Sequence, residues 1–170
     1  GVALPSLSPL PSLPVADHLD LVAPPVAAVL ASWPHVDEVA VVEIDPAIAD
    51  TAAMSEAYGL SLETGANCIV VAGRRGGAER IAACMVRADT RLDVNNAVKR
   101  TLDARKASFL SMERATAESG MEYGGITPVG LPAEWRLLVD ARTTGIEVAV
   151  IGSGVRRSKL LLPGRLLAEL

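Results

Sequence analysis

Asn67-Cys68-Ile69-Val70-Val71-Ala72, then Arg74-Arg75-Gly76-Gly77, then Arg80-Ile81-Ala82-Ala83-Cys84-Met85-Val86 read as a strand, a turn and a returning strand. A Gly-Gly pair between two apolar runs marks a hairpin, because glycine accepts the left-handed backbone of a two-residue turn. Neither run alternates with polar residues, so both faces of the hairpin are expected to be covered. Cys68 and Cys84 stand almost symmetrically about the turn. They are expected to face each other across it as small core residues, since two cysteines make no disulfide framework.

Outward from the hairpin, residues 24–32 read as a helix opened by prolines, and 39–44 as a β-branched strand. Residues 50–58 read as an Ala-rich helix stopped by Gly59. Asp93 caps a helix running to Leu102, with Val94, Val98 and Leu102 as its inner stripe. A short strand is expected at 106–109. A helix follows at 111–118, with Ser111 as its cap and Gly120 after it. Strands are expected at 136–140, 147–151 and 159–162, and a terminal helix begins within 163–170. The order lacks regular βαβ alternation. The fold class is therefore α/β of the α+β kind: a mixed, curled, barrel-like β-sheet with helices packed outside. Residues 1–14 read as a Pro-rich, poorly ordered lead-in to a single domain over 15–170.

A chain of 170 residues that is 50% apolar can bury a core without disulfides or metals. Prolines at 5, 9, 11, 14, 24 and 25 interrupt the apolar start, so no membrane-spanning helix is expected there. No Lys or Arg precedes Arg74, so the basic start of a secretory leader is absent. A cytoplasmic location with reduced thiols is expected. The net charge of −4 divides unevenly. Residues 1–65 hold nine Asp/Glu and no Lys/Arg, and residues 66–170 hold eleven and sixteen, giving −9 and +5. That split is compatible with one face meeting a phosphate backbone, or with an ordinary solvated surface.

Several kinds of chemistry are excluded. There is no GxxxxGK[ST] phosphate cradle. Gly152-Ser153-Gly154-Val155-Arg156-Arg157 lacks the third glycine of a dinucleotide fingerprint and leads toward a strand. His18 and His35 lie far in sequence from every glycine-rich loop, which argues against a Ser-His-Asp or Cys-His site. The Cys and His spacing does not suit zinc. Two stretches remain. Gly124-Gly125-Ile126-Thr127-Pro128-Val129-Gly130 can present backbone N–H groups to a carbonyl or an oxyanion, or can simply connect a helix to a strand. Gly152-Ser153-Gly154-Val155-Arg156-Arg157-Ser158-Lys159 suits an anion such as RNA phosphate, or is a tight turn with a solvated basic flank.

Together these two stretches resemble the YbaK/prolyl-tRNA synthetase-associated domain family. Residues 121–130 resemble its glycine-glycine-x-[Ser/Thr]-Pro-x-Gly loop, and residues 152–162 its closing glycine-rich turn and basic strand. Arg91-Leu92-Asp93 with the following helix, Ala104-Arg105-Lys106-Ala107, and the hairpin at 67–86 resemble the segments between. The resemblance spans roughly residues 36–170. It implies a barrel-like mixed sheet and hydrolysis of the ester of a mischarged aminoacyl-tRNA. The amino acid would be small, such as Ala or Cys, on tRNA for proline or a related tRNA. No metal or organic cofactor is implied, and neither membrane nor DNA contact. An aminoacyl-tRNA synthetase is implied as a candidate protein partner.

One position departs from the family pattern: Asn67 stands where relatives carry a lysine. An amide can donate and accept hydrogen bonds but has no charge. The expected site has Gly124 and Gly125 holding the acyl carbonyl through backbone N–H groups, with Asn67 and Thr127 orienting substrate or water. Ile126, Pro128 and Gly130 complete the loop. Ser153, Gly154 and Lys159 border the terminal adenosine or its phosphate. If RNA binds, Arg74, Arg75, Arg156, Arg157 and Lys159 are expected to share one positive face. The alternative, favoured by Asn67, is a non-catalytic binding module of the same fold for an amino acid, an aminoacyl-adenylate-like ligand or a protein partner.

Overall fold

The computed structural model describes residues 3–170. In chain order its elements are β1 (Leu13–Pro14), α1 (Pro24–Leu30), β2 (Ala40–Glu43), α2 (Thr51–Tyr58), β3 (Ala66–Arg75) and β4 (Ala78–Arg87). Then come α3 (Lys99–Thr101), β5 (Lys106–Phe109), α4 (Met112–Ser119), β6 (Arg136–Val139), α5 (Ala141–Thr144), β7 (Ala149–Gly152) and β8 (Ser158–Leu162). The chain turns where its local chemistry demands. The Asp50 carboxylate accepts the Ala52 N–H at the head of α2, and Gly59 ends that helix at φ +68°. Ser111 and Gly120 do the same for α4.

The mixed α/β architecture expected from the sequence is the one that forms. Its strands divide into two four-stranded sheets, β1-β2-β8-β7 and β5-β3-β4-β6. Only the β4–β6 pairing is parallel within them. A lone parallel bridge from Gly65 to Val150 joins the sheets where the chain enters β3. The main core lies between them: Val41, Ile151, Leu160 and Leu162 from the first sheet meet Ala66 and Met85 from the second, and Val26 and Leu30 of α1 close one side. Among the described residues no helix is long and apolar enough to cross a membrane.

Four details differ from the sequence reading. The proline-rich start is packed rather than loose: Leu10 is buried against Ala40, Val42 and Leu161, with Leu4 and Leu7 beside it, and β1 pairs with β2. Residues 1 and 2 of that segment lie outside the described residues. The two cysteines do not face each other. The turn centres between Gly76 and Gly77, so Cys68 pairs with Met85 and Cys84 with Ile69. A one-residue offset puts them on opposite faces of the hairpin. The terminal helix is a 3₁₀ segment, Gly164–Glu169, which buries Leu166 and Leu167. The helix capped by Asp93 also opens as a π-turn, Val94–Val98, before α3.

Candidate functional site

The two glycine-rich stretches meet backbone to backbone. The Glu122 N–H donates to the Gly154 carbonyl at 2.8 Å, and the Gly154 N–H donates to the Gly125 carbonyl at 2.7 Å. A Cβ on Gly125 would stand 2.9 Å from the backbone of Val155, and one on Gly152 would stand 2.6 Å from the Gly125 carbonyl oxygen. Both positions need glycine because another main chain passes there. Arg156 fastens the junction. Its guanidinium donates to the carbonyls of Tyr123 at 3.0 Å and Pro46 at 2.9 Å, and it lies 5.7 Å from the centre of the Tyr123 ring.

This junction forms one wall of a cleft of about 780 Å³. The head of α2, the start of β3 and the Gly152–Lys159 pair of the first sheet supply the rest. Asn67 is held there by α2, since the Thr51 hydroxyl donates to Asn67 Oδ1 at 2.8 Å. Its Nδ2 has no partner among the described residues. Lys159 reaches the cleft from β8 and is only 7% exposed. Its Nζ donates to the Gly124 carbonyl at 3.4 Å. Burial pulls its ammonium down to about 8, the like charge of Arg156 adds to the effect, and Asp50 opposes it. Cys68 also lines the cleft, but burial pushes its thiol up to about 12, with a smaller push from Cys84. A thiol held protonated is a poor nucleophile. Among the described residues no group of three or more His, Cys, Asp or Glu converges as a metal site would.

Of the residues expected from sequence, the structure brings Asn67, Gly124, Ile126 and Lys159 to this cleft. Gly125, Thr127, Pro128, Gly130, Ser153 and Gly154 lie behind its wall. The Gly125 N–H is already spent on the Glu122 carbonyl at 3.0 Å, so it offers nothing to an acyl group. Thr127 is wholly buried, with a hydroxyl that meets no partner among the described residues. Pro128 is buried as well. A Cβ on Gly130 would strike the carbonyl of Pro25 at 2.5 Å. The Ser153 hydroxyl is bonded to Ser158 Oγ at 2.7 Å, and Gly154 packs against Val26 and Met121. None of these six is among the residues that line the cleft. Sequence reading missed Asp50, Thr51 and Tyr123 as cleft residues, and placed Arg156 only on a basic face rather than at the junction of the two loops. Asp50 and Thr51 carried a signal, as the cap and first residue of a helix placed just before the hairpin. Of the residues of the expected positive face, Arg156 and Lys159 line the cleft while Arg74 and Arg75 lie away from it. Arg75 is eight residues along β3 from Asn67, about 26 Å at ~3.3 Å per residue.

Comparisons with known proteins place the chain in a family. The family model of the aminoacyl-tRNA editing domain matches residues 45–170, which include every cleft element named above. No curated protein matches. Among solved structures, a candidate trans-editing enzyme for prolyl tRNA synthetase superposes with a TM-score of 0.70 at 20% identity, over 95% of this chain and 91% of that one. The hypothetical protein APE2540 superposes with a TM-score of 0.68 at 21% identity, over 76% of this chain and 83% of that one. A scaffold protein used for computational epitope grafting gives 0.69 at 19% identity, over 87% and 92%. At these identities the structures show a shared fold, and the match to the family model shows the rest: the chain belongs to the aminoacyl-tRNA editing domain family.

Proposed function

We propose that this chain hydrolyses the ester of a mischarged aminoacyl-tRNA, acting in trans on a small amino acid such as Ala or Cys carried by tRNA for proline or a related tRNA. The observation that carries the reading is the convergence in one cleft of a buried ammonium, a side-chain amide and a glycine backbone. A volume of about 780 Å³ falls within the usual range of ligand sites, and it suits an aminoacyl adenosine better than a free small amino acid. Water attacks the acyl carbon, and negative charge develops on the carbonyl oxygen. The ester C–O bond then breaks, and the terminal ribose hydroxyl leaves with a proton that the water gives up. The Lys159 ammonium and the Asn67 Nδ2 group stabilise the developing oxyanion. Both are fixed before the reaction, Lys159 by burial and its Gly124 contact and Asn67 by Thr51. Lys159 thereby brings a cation to the cleft from β8, which offsets the lysine that Asn67 replaces on β3.

Purified protein should release Ala or Cys from tRNA for proline faster than the spontaneous rate. If every mischarged tRNA stays intact with both wild type and Asn67→Lys, hydrolysis is wrong. The binding-module reading then takes its place.

A further inference from the structure

We infer that the far end of the β3–β4 hairpin is a second nucleic-acid contact, a platform that grips the phosphodiester backbone of the same RNA whose 3′ end enters the cleft. The inference rests on the proposed function for the identity of that RNA and on the structure for the site.

Three guanidiniums from different strands converge on one turn. Arg75 Nε donates to the Asp103 carbonyl at 2.8 Å, Arg80 Nη1 to the Leu102 carbonyl at 2.7 Å, and Arg136 Nη1 to the Thr101 carbonyl at 3.4 Å. The side chains of Arg75 and Arg80 stay 52% and 41% exposed, so donors remain for a ligand. Lys99 and Arg100 precede this turn, and Arg105 and Lys106 follow it. The Arg105 N–H bonds the Arg74 carbonyl, and Lys106 pairs with Arg74 across the sheet. Lys99, Arg100, Arg105 and Lys106 have no ion-pair partner among the described residues. The carboxylates paired with the other cations here are Asp103 and Glu79. Asp103 is also the one non-glycine residue with positive φ among those described, at 51°.

Unpaired like charges gathered on an exposed turn repel one another and stabilise nothing in the isolated fold. A polyanion removes that cost, and guanidinium forks suit phosphate oxygens. The charge of the first part of the chain sharpens the case. Residues 1–65 carry nine acids and no cation, and their Asp50 sits on the cleft wall. A polyanion is repelled by that part and held by the hairpin end, so the charge layout favours backbone contacts at the hairpin end.

The test is the triple variant Arg100→Ala/Arg105→Ala/Lys106→Ala, whose side chains support no carbonyl or carboxylate in the fold. Binding of uncharged tRNA is measured by anisotropy across a salt series, with the thermal melt as a folding control. We expect affinity to fall about 10–100-fold at low salt, and the slope of log K against log[salt] to flatten by roughly two to three. In hydrolysis, KM for full-length tRNA should rise while turnover of an aminoacylated CCA trinucleotide stays unchanged. Unchanged affinity and slope in the variant overturn the platform, as does a wild type that binds no tRNA at low salt. If wild type binds tRNA through these residues yet hydrolyses nothing, the platform stands and the proposed hydrolysis falls. If the variant hydrolyses trinucleotide and full tRNA alike with unchanged KM, hydrolysis stands and the platform falls.

Discussion

At one end of the β3–β4 hairpin a single ammonium, Lys159, is 7% exposed and tied to a glycine carbonyl. At the other end Arg74, with 66% of its side chain exposed, shares Glu79 with Arg114 across open solvent. Burial makes the first cation costly to keep and strong toward an incoming negative charge, because little water screens it. Exposure makes each of the others cheap and weak, so they act only in number. One hairpin thus carries a site where one residue should decide the outcome and a surface where no single residue should.

The largest expected effect is at Lys159. Lys159→Met should lower hydrolysis a hundredfold or more, about the loss seen when one oxyanion donor is removed. The same change should raise stability. Lowering the ammonium from 10.5 to about 8 corresponds to roughly 2–4 kcal/mol against the charged form at neutral pH. The sign follows from proton binding. Between about pH 8 and 10.5 the unfolded lysine holds its proton while the folded one releases it, so wild-type stability rises with pH in that window and the variant's does not. Activity should move the other way and fall as pH passes about 8. Adding Asn67→Lys to Lys159→Met should restore part of the rate, because the cation returns to the same cleft from β3. Denaturant melts and deacylation rates across pH check all of this, and a Lys159→Met enzyme with wild-type rate breaks the contrast.

The next effect separates glycines at the two ends. Gly125 has a main chain 2.9 Å from where its Cβ would be, whereas Gly77 has nothing within 4 Å and only its φ of +83° to protect. Gly125→Val must push Val155 away, so it should cost about 3 kcal/mol or more. Gly77→Ala should cost only the left-handed backbone penalty, about 1–2 kcal/mol. Thermal melts give both, and equal losses would show that the junction of the two loops yields more easily than its spacing suggests.

These positions also show where sequence stops being informative. Gly-Gly at 76–77 announced the hairpin because the requirement is local and lies in two φ angles. Gly125 announced a close approach and Gly152 a ligand turn, but glycine cannot say whose atoms approach. Here they belong to Val155 and to the 125–126 backbone rather than to a ligand. Lys159 stood out as a cation after small residues. Its burial depends on strand β8 being interior, which no neighbour in sequence reveals. The cysteine offset turned on whether the turn centred on a residue or between two, a difference of one position that reverses a face. The packed start was hidden by its prolines, which forbid long helices and yet leave Leu4, Leu7 and Leu10 free to reach the first sheet.

The smallest expected effect lies at the exposed end. Glu79 accepts bonds from Arg114 at 2.8 and 3.0 Å and from Arg74 at 3.0 Å. Arg114 first and Arg74 second draw its carboxyl down to about 2 from 4.5. A depressed carboxyl stabilises the fold above its unfolded value, and that contribution fades as pH falls from about 4.5 toward 2. The groups are solvated, so the Coulomb gain is screened and much of the nominal shift does not reach stability. Glu79→Gln should therefore cost no more than about 1 kcal/mol at pH 7 and nothing measurable near pH 2, with the difference shrinking further in high salt. Paired melts of wild type and variant at the two pH values and two salt levels test it. A loss of several kcal/mol that survives high salt would mean that this end of the hairpin also holds a site decided by one residue, and the contrast with Lys159 would be gone.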